Sequence, residues 1–450
     1  MKFSIKYLLF VLPAVLTFTS CSYIDTVQRA KKSQELKGTA AYYDNKCLVA
    51  EECAGLSAKV LLPASDKSDS MAIAVVVEDG NESRVIDVQV IDFTQDGDAK
   101  VSYFFFDLPV GTYSIYALTT SDHNSSYADG DLSILAMDSG TITENDLKAY
   151  QNAIIVDDIL INSEESSGLF SYSLKHMKDK LTNPTKQHIG YFEKDVNLDD
   201  PVFSHQVAME GLYYPESFKK KSKAIYRLAP EFKKGTIPIL FVHGMGGTPR
   251  DWKFMIENLD LEHYTPYVLY YPSGEDFTKL ATQYNGWIIS DKIFDNGPGV
   301  VVAHSFGGII VRDAINLEHD TNRVLFISMA TPYGGDAKAS EGVKNAPYVI
   351  PSWRSIADDG DFIKNLYRQK LSDLETFELI FAYNNSGDGE SGDGRVPLDK
   401  QLRSEAQKEA RSIRGFNEDH ISILNSKETA EHINTLLEAF AKENIEQQQK

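Results

Sequence analysis

The stretch VVAHSFGG, residues 301–308, decides the fold of the C-terminal half of this chain. A buried-strand pattern precedes Ser305 and a helix pattern follows it. Ala303, where glycine is commoner, and Gly307 stand two positions before and after the serine, and a sharp strand-to-helix turn needs small residues there. Such a turn presents the serine oxygen at a helix N-terminus, whose free N–H groups favour negative charge. The stretch therefore predicts a nucleophile elbow with Ser305 as the catalytic nucleophile.

A second motif, VHGMGG at residues 242–247, follows the continuous apolar run 237–242, which predicts a strand buried on both faces. Acyl transfer creates a tetrahedral oxyanion that needs two or more preorganised N–H donors. The glycines allow the backbone to approach the reacting carbon. We therefore expect the backbone N–H groups of Met245 and Phe306 to form the oxyanion hole.

The general base is expected late in the chain, after the acid. His420 follows the last predicted strand, residues 412–416, and precedes an amphipathic helix that we predict over residues 427–444. His432 lies inside that helix and fits the role less well. The other competing histidines are His263, His304 and His319. The order of elements therefore predicts His420 as the base.

The acid is expected in the loop after the strand that ends near Tyr383. Asp393 is preferred because the sequence DGRVP places its carboxylate just before the chain turns into the next helix. Asp388 is the main rival, since glycines flank it too. Glu390 and Asp399 are the remaining alternatives.

The pattern of predicted elements divides the chain into two domains. From about Met209 onward, strands alternate with helices, which predicts an α/β domain with a mostly parallel sheet and helices on both faces. Short β runs separated by turn signals predict a small all-β sandwich over residues 38–161. Residues 162–208 are predicted to be a linker.

The motifs together resemble those of lipase-like α/β hydrolases, specifically a group of bacterial lipoprotein hydrolases with a β-sandwich in front. The resemblance covers residues 209–441 well. Its matching segments are GLYYP (211–215), AIY (224–226), HGMGG (243–247), PRDW (249–252), YPSG (271–274), AHSFGG (303–308), ATPYGG (330–335), GDGRVP (392–397) and GFNEDH (415–420). It implies the α/β-hydrolase fold and a Ser-Asp-His hydrolase without metal or cofactor, and it names no substrate.

The N-terminus carries the features of an export signal. Lys2 and Lys6 precede the apolar residues 7–18, which are too few to span a bilayer. The following FTSC resembles a bacterial lipobox with Phe at its first position, which implies a signal peptide over residues 1–20 and a diacylated Cys21. An ordinary secretory signal is the alternative. We expect a lipid-anchored protein of the bacterial cell envelope, on the outer membrane or periplasmic face, with residues 21–37 as a tether.

Composition narrows the classes of partner. The formal net charge of −20 makes a nucleic-acid binder an unfavourable interpretation. Cys47 and Cys53 are the only cysteines after Cys21, and in an exported chain they are predicted to form a disulfide. Unpaired thiols are the alternative. Two cysteines do not supply the four ligands of a structural zinc site, so no metal is expected.

Residues 331–361 interrupt the strand–helix rhythm and contain several large apolar side chains. An insertion at this place predicts a cap over an apolar acyl pocket, with an ordinary structural excursion as the alternative. The expected activity is hydrolysis of apolar carboxylic or lipid esters through an acyl-enzyme. Two alternatives stay open: a thioesterase or acyltransferase with the same triad, and a surface interaction protein with a vestigial hydrolase domain. The partner of the β domain is not predicted.

Overall fold

A computed structural model describes most of the chain outside the N-terminal 18 residues. The described residues are 19–37, 53–66, 70–79, 82–96, 99–120, 132–143, 154–155, 159–160, 192–193, 196–219, 221–228, 237–290, 293–294, 297–317, 324–371, 375–384 and 391–448. The chain folds into two compact units. One comprises Met1–Val27 and Tyr191–Lys450, and the other comprises Gln28–Gly190.

The Gln28–Gly190 unit, here called the β unit, is built from two sheets. Its strands are β1 (Ala54–Pro63), β2 (Ser70–Asp79), β3 (Glu82–Asp92), β4 (Thr94–Asp96), β5 (Ala99–Leu108), β6 (Gly111–Thr120), β7 (Leu132–Ile142), β8 (Ile154–Ile155) and β9 (Ile159–Leu160). One sheet has the order β3-β2-β6-β7, and the other has the order β4-β5-β1-β8 with β9 also pairing β1.

Alternation along the strands of the β unit produces its core. Ile73 and Val75 of β2 share one apolar cluster with Phe104 and Phe106 of β5, which belongs to the other sheet. Because successive side chains of a strand point to opposite faces, each sheet directs every second residue into this common layer. The two sheets thus pack as the layers of a sandwich.

The Tyr191–Lys450 region, here called the hydrolase unit, contains an eight-stranded sheet. Its strands are β10 (Phe192–Glu193), β11 (Ile225–Arg227), β12 (Ile237–Val242), β13 (Tyr264–Leu269), β14 (Gly299–His304), β15 (Val324–Met329), β16 (Glu375–Ala382) and β17 (Ser412–Phe416). Their spatial order is β10-β11-β13-β12-β14-β15-β16-β17, and only the β11–β13 pair is antiparallel. The unit begins upstream of the predicted boundary at Met209, because β10 joins this sheet.

Helices complete the two units. They are α1 (Thr19–Leu36), α2 (His205–Tyr213), α3 (Pro215–Lys219), α4 (Lys253–Glu257), α5 (Phe277–Ser290), α6 (Phe306–Leu317), α7 (Ala337–Asn345), α8 (Pro351–Ile356), α9 (Asp361–Asn365), α10 (Leu398–Gln401), α11 (Ser404–Glu409) and α12 (Lys427–Gln448). Short 3-10 turns cover Pro201–Phe203, Pro249–Trp252 and Ser422–Asn425. No described helix combines the length and apolar character needed to cross a membrane.

The hydrolase sheet is covered on both faces. Leu240 and Val242 of β12 lie in one apolar cluster with side chains of α5 and α6. Ile239 and Phe241 of the same strand lie in a second cluster with side chains of α4 and α12. The parallel sheet is therefore a buried central layer between helices, which explains its continuous apolar strands. This architecture is the α/β-hydrolase fold, as the sequence predicted.

Candidate active site

The elbow at Ser305 has the backbone geometry that its sequence predicts. Ser305 follows β14 directly, begins the turn into α6 and has a φ of 53°. Its backbone N–H donates to the carbonyl of Met329 on β15 over 2.9 Å. A Cβ on Gly307 would lie 2.6 Å from the carbonyl oxygen of His243, so only glycine fits there. The hydrogen bond to Met329 and the close packing of Gly307 against His243 thus hold the turn in place. Within it, Ser305 has a left-handed conformation that serine rarely adopts.

Ser305, His420 and Asp393 form one continuous chain of hydrogen bonds. The Oγ of Ser305 lies 3.0 Å from Nε2 of His420. Nδ1 of His420 lies 2.7 Å from Oδ2 of Asp393. All three residues are buried. A carboxylate accepts only, so the histidine proton lies on Nδ1 and leaves Nε2 free to accept the serine proton.

The acid and base loops are joined through the backbone as well. The N–H of His420 donates to the carbonyl of Asp393 over 2.9 Å. The other carboxylate oxygen of Asp393 accepts from the N–H groups of Arg395 and Val396, at 2.9 and 2.7 Å. Gln401 donates to the carbonyl of Val396 and also bonds both backbone groups of Ala382 on β16. These contacts fix the carboxylate before any substrate binds.

The competing acids and bases that the structure describes take no part in the hydrogen bonds between Ser305, His420 and Asp393. Asp399 is exposed on α10, and His263 is exposed and bonds Asp260. His432 lies on α12 against the ring of Phe416. Asp388, Glu390 and His319 lie outside the described residues.

The HGMGG loop packs directly against the nucleophile. A Cβ on Gly244 would lie 2.8 Å from the Cβ of Ser305, so the glycine is what permits the approach. The N–H of Gly246, which has a φ of 63°, donates to the Oγ of buried Ser273 over 2.9 Å. Between the described residues, neither the Met245 nor the Phe306 amide donates a hydrogen bond to a protein oxygen. Met245 follows Gly244 in this loop, and Phe306 follows Ser305 at the start of α6.

Two buried histidines beside the site, His304 and His243, make contacts that the sequence did not predict. The ring of His304 donates from Nε2 to the backbone carbonyl of His420 over 2.8 Å. Burial, and next the nearby charge of His420, hold the pKa of His304 well below its usual value. Its position next to Ser305 was visible in the sequence, but its partner lies 116 positions away. The sequence therefore contained no signal for this contact.

His243 is the second buried histidine. Its Nδ1 lies 2.7 Å from the carbonyl of Gly244, and its Nε2 accepts the N–H of Tyr271 at 3.3 Å. The ring stacks on that of Tyr271, with centroids 4.3 Å apart, and the tyrosine hydroxyl donates to the carbonyl of His243 over 2.7 Å. Burial lowers the pKa of His243 to about 4. The neutral ring therefore stabilises the end of β12, after which the HGMGG loop begins.

The segment predicted as a cap, residues 331–361, contains α7 and α8 between β15 and β16. Its Ser355 accepts from the N–H of Phe277 and donates to Asp276, both buried. Its side chains Tyr348, Ile350 and Trp353 belong to an apolar cluster that also contains Met245. This segment therefore contributes apolar surface next to the HGMGG loop.

The cysteine predictions fall partly outside the described residues. Cys53 is buried and disulfide-bonded, while Cys47 lies outside the described residues, so their pairing stays a prediction. Cys21 lies in the first turn of α1, and its side chain is outside the described part. Among the described residues, no three His, Cys, Asp or Glu side chains form a group that could hold a metal ion.

Comparison with known proteins gives a family model and several solved structures. Residues 235–357 match the family model described as "Putative serine esterase (DUF676)". The matched region contains the HGMGG loop, the elbow and most of the predicted cap; Asp393 and His420 lie downstream of it. No curated protein matches the chain.

The similar solved structures are of esterases and lipases. Bacillus licheniformis lipase BlEst2 in mature form is 18% identical, with a TM-score of 0.39, over 47% of this chain and 97% of that one. A lipase-esterase related protein from Clostridium acetobutylicum is 15% identical, with a TM-score of 0.35, over 47% and 98%. An esterase from Exiguobacterium antarcticum is 15% identical, with a TM-score of 0.35, over 48% and 95%. The similarity that bears on activity is therefore that of residues 235–357 to the serine esterase family model.

Proposed function

We propose that this protein is a serine hydrolase that cleaves carboxylic esters of lipids or other apolar acids. The observation that carries the proposal is the hydrogen-bond chain from Ser305 Oγ through His420 to Asp393. A Ser-His-Asp mechanism requires all three side chains and both hydrogen bonds, and all of them are present here. The intact chain therefore favours an enzyme.

The reaction proceeds through an acyl-enzyme. His420 Nε2 takes the proton of Ser305 as its Oγ attacks the ester carbonyl, and Asp393 stabilises the imidazolium that forms. The N–H groups of Met245 and Phe306 bind the oxyanion. His420 then gives its proton to the leaving alcohol. Water, activated by the same histidine, releases the acid and restores Ser305.

Apolar side chains next to the oxyanion loop support an apolar acyl group. Met245 packs against the cluster formed by Leu212, Tyr213 and Ile350, and Tyr348 and Trp353 of the predicted cap pack against the same cluster. An acyl chain bound beside Met245 would gain about 0.8 kcal/mol for each CH₂ group that it buries. Thioester hydrolysis or acyl transfer by the same three residues is the second candidate, because the chemistry of attack is the same.

Labelling by a fluorophosphonate probe tests the mechanism. The wild-type protein should be labelled, and Ser305→Ala should lose both labelling and ester turnover while its circular dichroism and melting temperature are kept. Ser404→Ala, at an exposed serine on α11, is the matched control and should behave as wild type. Undiminished labelling of Ser305→Ala would contradict the proposal. A panel of esters, thioesters and peptides with matched acyl groups then separates the two candidate activities.

A further inference from the structure

The N-terminal helix α1 is fastened to the hydrolase unit by its first turns. The hydroxyl of Tyr23 donates to the carbonyl of Tyr348 over 2.6 Å, and the ring of Tyr23 stacks on Trp353 with centroids 5.7 Å apart. Both partners belong to the cap segment. The segment that the sequence predicts to be a tether is therefore helical and packed at its start.

A second tyrosine also contacts the start of α1. The hydroxyl of Tyr214, which follows α2, lies 2.9 Å from the carbonyl of Ser22 and 2.9 Å from a carboxylate oxygen of Asp25. Burial raises the pKa of Tyr23, as expected for a phenol packed into a contact. All of these contacts come from residues after Cys21, so removal of residues 1–20 would leave them in place.

The proposed substrate entrance is the region beside Met245 of the HGMGG loop, and this contact involves the same apolar cluster. Tyr23 packs against the same apolar cluster that contains Met245, whose N–H is assigned to the oxyanion hole. Tyr348 and Trp353, which contact Tyr23, are side chains of segment 331–361, the predicted cap. The start of α1 and the HGMGG loop therefore pack against one apolar cluster.

Cys21 is two residues before Tyr23. Two residues span about 3 Å along a helix axis and at most about 7 Å when extended. An acyl anchor on Cys21 would therefore hold the cap within a short distance of the bilayer. If the start of α1 were undocked, the hydrolase unit could instead move away on the length of the tether.

Exposed apolar side chains fit the same arrangement. Among the described residues, four large apolar side chains are exposed: Ile24, Leu261, Ile413 and Ile421. Ile24 lies three residues after Cys21, and Ile421 directly follows His420. Ile24 lies close enough in sequence to Cys21 to contact the bilayer that an acylated Cys21 would enter, and Ile421 exposes an apolar side chain next to the proposed base.

We propose that the docked segment Ser22–Asp25 holds the substrate entrance at the surface of the membrane that carries the Cys21 anchor, so that the substrates are acyl esters of that bilayer's own lipids. The inference rests on the proposed function and on acylation of Cys21. The entrance, the cap and the anchor then form one assembly, and the β unit does not determine the distance between active site and membrane.

Two flexible insertions of equal length test this proposal in the full-length lipoprotein reconstituted into phospholipid vesicles. The first, a Ser- and Gly-rich insertion of about twelve residues, is placed between Cys21 and Ser22 and begins with serine to preserve the residue after the lipobox. It lengthens the path from anchor to entrance by roughly 20 Å. The matched control carries the same insertion between Lys37 and Gly38, downstream of the docked segment.

The first insertion should lower release of fatty acid from the vesicles roughly tenfold, because the effective concentration of lipid at the entrance falls. The control insertion should leave that rate within about twofold of wild type, since the docked segment still sets the distance. In a Tyr23→Ala background, which weakens the docking, the control insertion should begin to lower the rate. Flotation with vesicles verifies equal anchoring.

Equal vesicle rates for the two insertions would overturn the inference, and so would failure of the wild-type protein to float with vesicles. A vesicle rate that rises on the first insertion or on Tyr23→Ala would show that the segment blocks the entrance, which also overturns it. Turnover of a water-soluble short-chain ester distinguishes failure of the proposed function from failure of this inference. If the wild-type protein hydrolyses neither substrate, the proposed function fails; if it hydrolyses only the soluble ester, the inference alone fails.

Discussion

The ring of His304 donates a hydrogen bond from Nε2 to the backbone carbonyl of His420, with 2.8 Å between the two atoms. The residue before the nucleophile thus positions the backbone of the proposed base, and the two rings lie 4.6 Å apart. His304 must be neutral, because His420 becomes an imidazolium during attack. A protonated His304 would place a second positive charge beside it. Burial and the neighbouring His420 keep the pKa of His304 low enough for this.

Replacing His304 should therefore lower turnover through His420. His304→Leu leaves the buried carbonyl of His420 without its donor, and we expect kcat to fall by roughly 10²-fold with little change in KM. His304→Gln keeps an amide donor and should recover a large part of the loss. Steady-state kinetics with a short-chain ester measure both. Equal kcat values for the Leu variant and the wild type would contradict the positioning role.

Asp393→Asn should lower kcat by roughly 10²–10⁴ with little loss of stability. The asparagine oxygen can still accept from the N–H groups of Arg395 and Val396, so the loop keeps its shape. Its NH₂ group faces Nδ1 of His420, however, and favours the tautomer whose Nε2 cannot accept the serine proton. Asp388→Asn is the comparison and should cost less than about tenfold. A larger loss for Asp388→Asn would move the assignment of the acid.

The stability of the protein should fall as pH decreases from about 6.5 to about 4. Burial lowers the pKa of His243 to about 4, whereas in the unfolded chain the histidine has its usual pKa of 6.5. Between pH 6.5 and about 4, His243 is protonated in the unfolded chain but neutral in the folded protein, so lowering the pH favours unfolding. This site alone accounts for about 3 kcal/mol across that window.

Chemical denaturation at several pH values measures this effect. His243→Asn should flatten the pH dependence of the free energy of unfolding between pH 6.5 and 4. His263→Asn, at an exposed histidine, is the control and should follow wild type. If the free energy of unfolding of His243→Asn depends on pH as steeply as that of the wild type, other groups cause the acid sensitivity.

Turnover of soluble esters should survive treatment with EDTA and dialysis. The serine is activated by a histidine and the oxyanion is bound by amides, so no step requires a Lewis acid. Activity is compared before and after chelation. A loss that an added divalent cation restores would contradict the mechanism.

Cys21→Ser should release the protein from membranes while soluble-ester turnover is kept. Two acyl chains on one cysteine supply the stable attachment that a single chain does not. Fractionation and incorporation of labelled palmitate measure the effect. Wild-type palmitate incorporation in the variant would show that the anchor is elsewhere.

The features of this protein that depend on short segments could be predicted from the sequence alone. The elbow around Ser305 and the glycines of the HGMGG loop impose local backbone conformations, and the apolar runs of β12 and β14 impose burial on both faces. These features decide the α/β fold of the C-terminal region. The order of segments also pointed to Asp393 and His420, because their loops follow the last two strands.

Contacts between groups that are distant in sequence could not be predicted in this way and are known only from the folded structure. Asp393 was one of several carboxylates in its loop, and its contact with His420 depends on two strand ends that lie side by side in the sheet. The contact of His304 with the His420 carbonyl joins the ends of β14 and β17, which two other strands separate in the sheet. The docking of Tyr23 on Tyr348 joins residues 325 positions apart. No local pattern encodes such a contact, because its free energy comes from surfaces that meet only when the chain is folded.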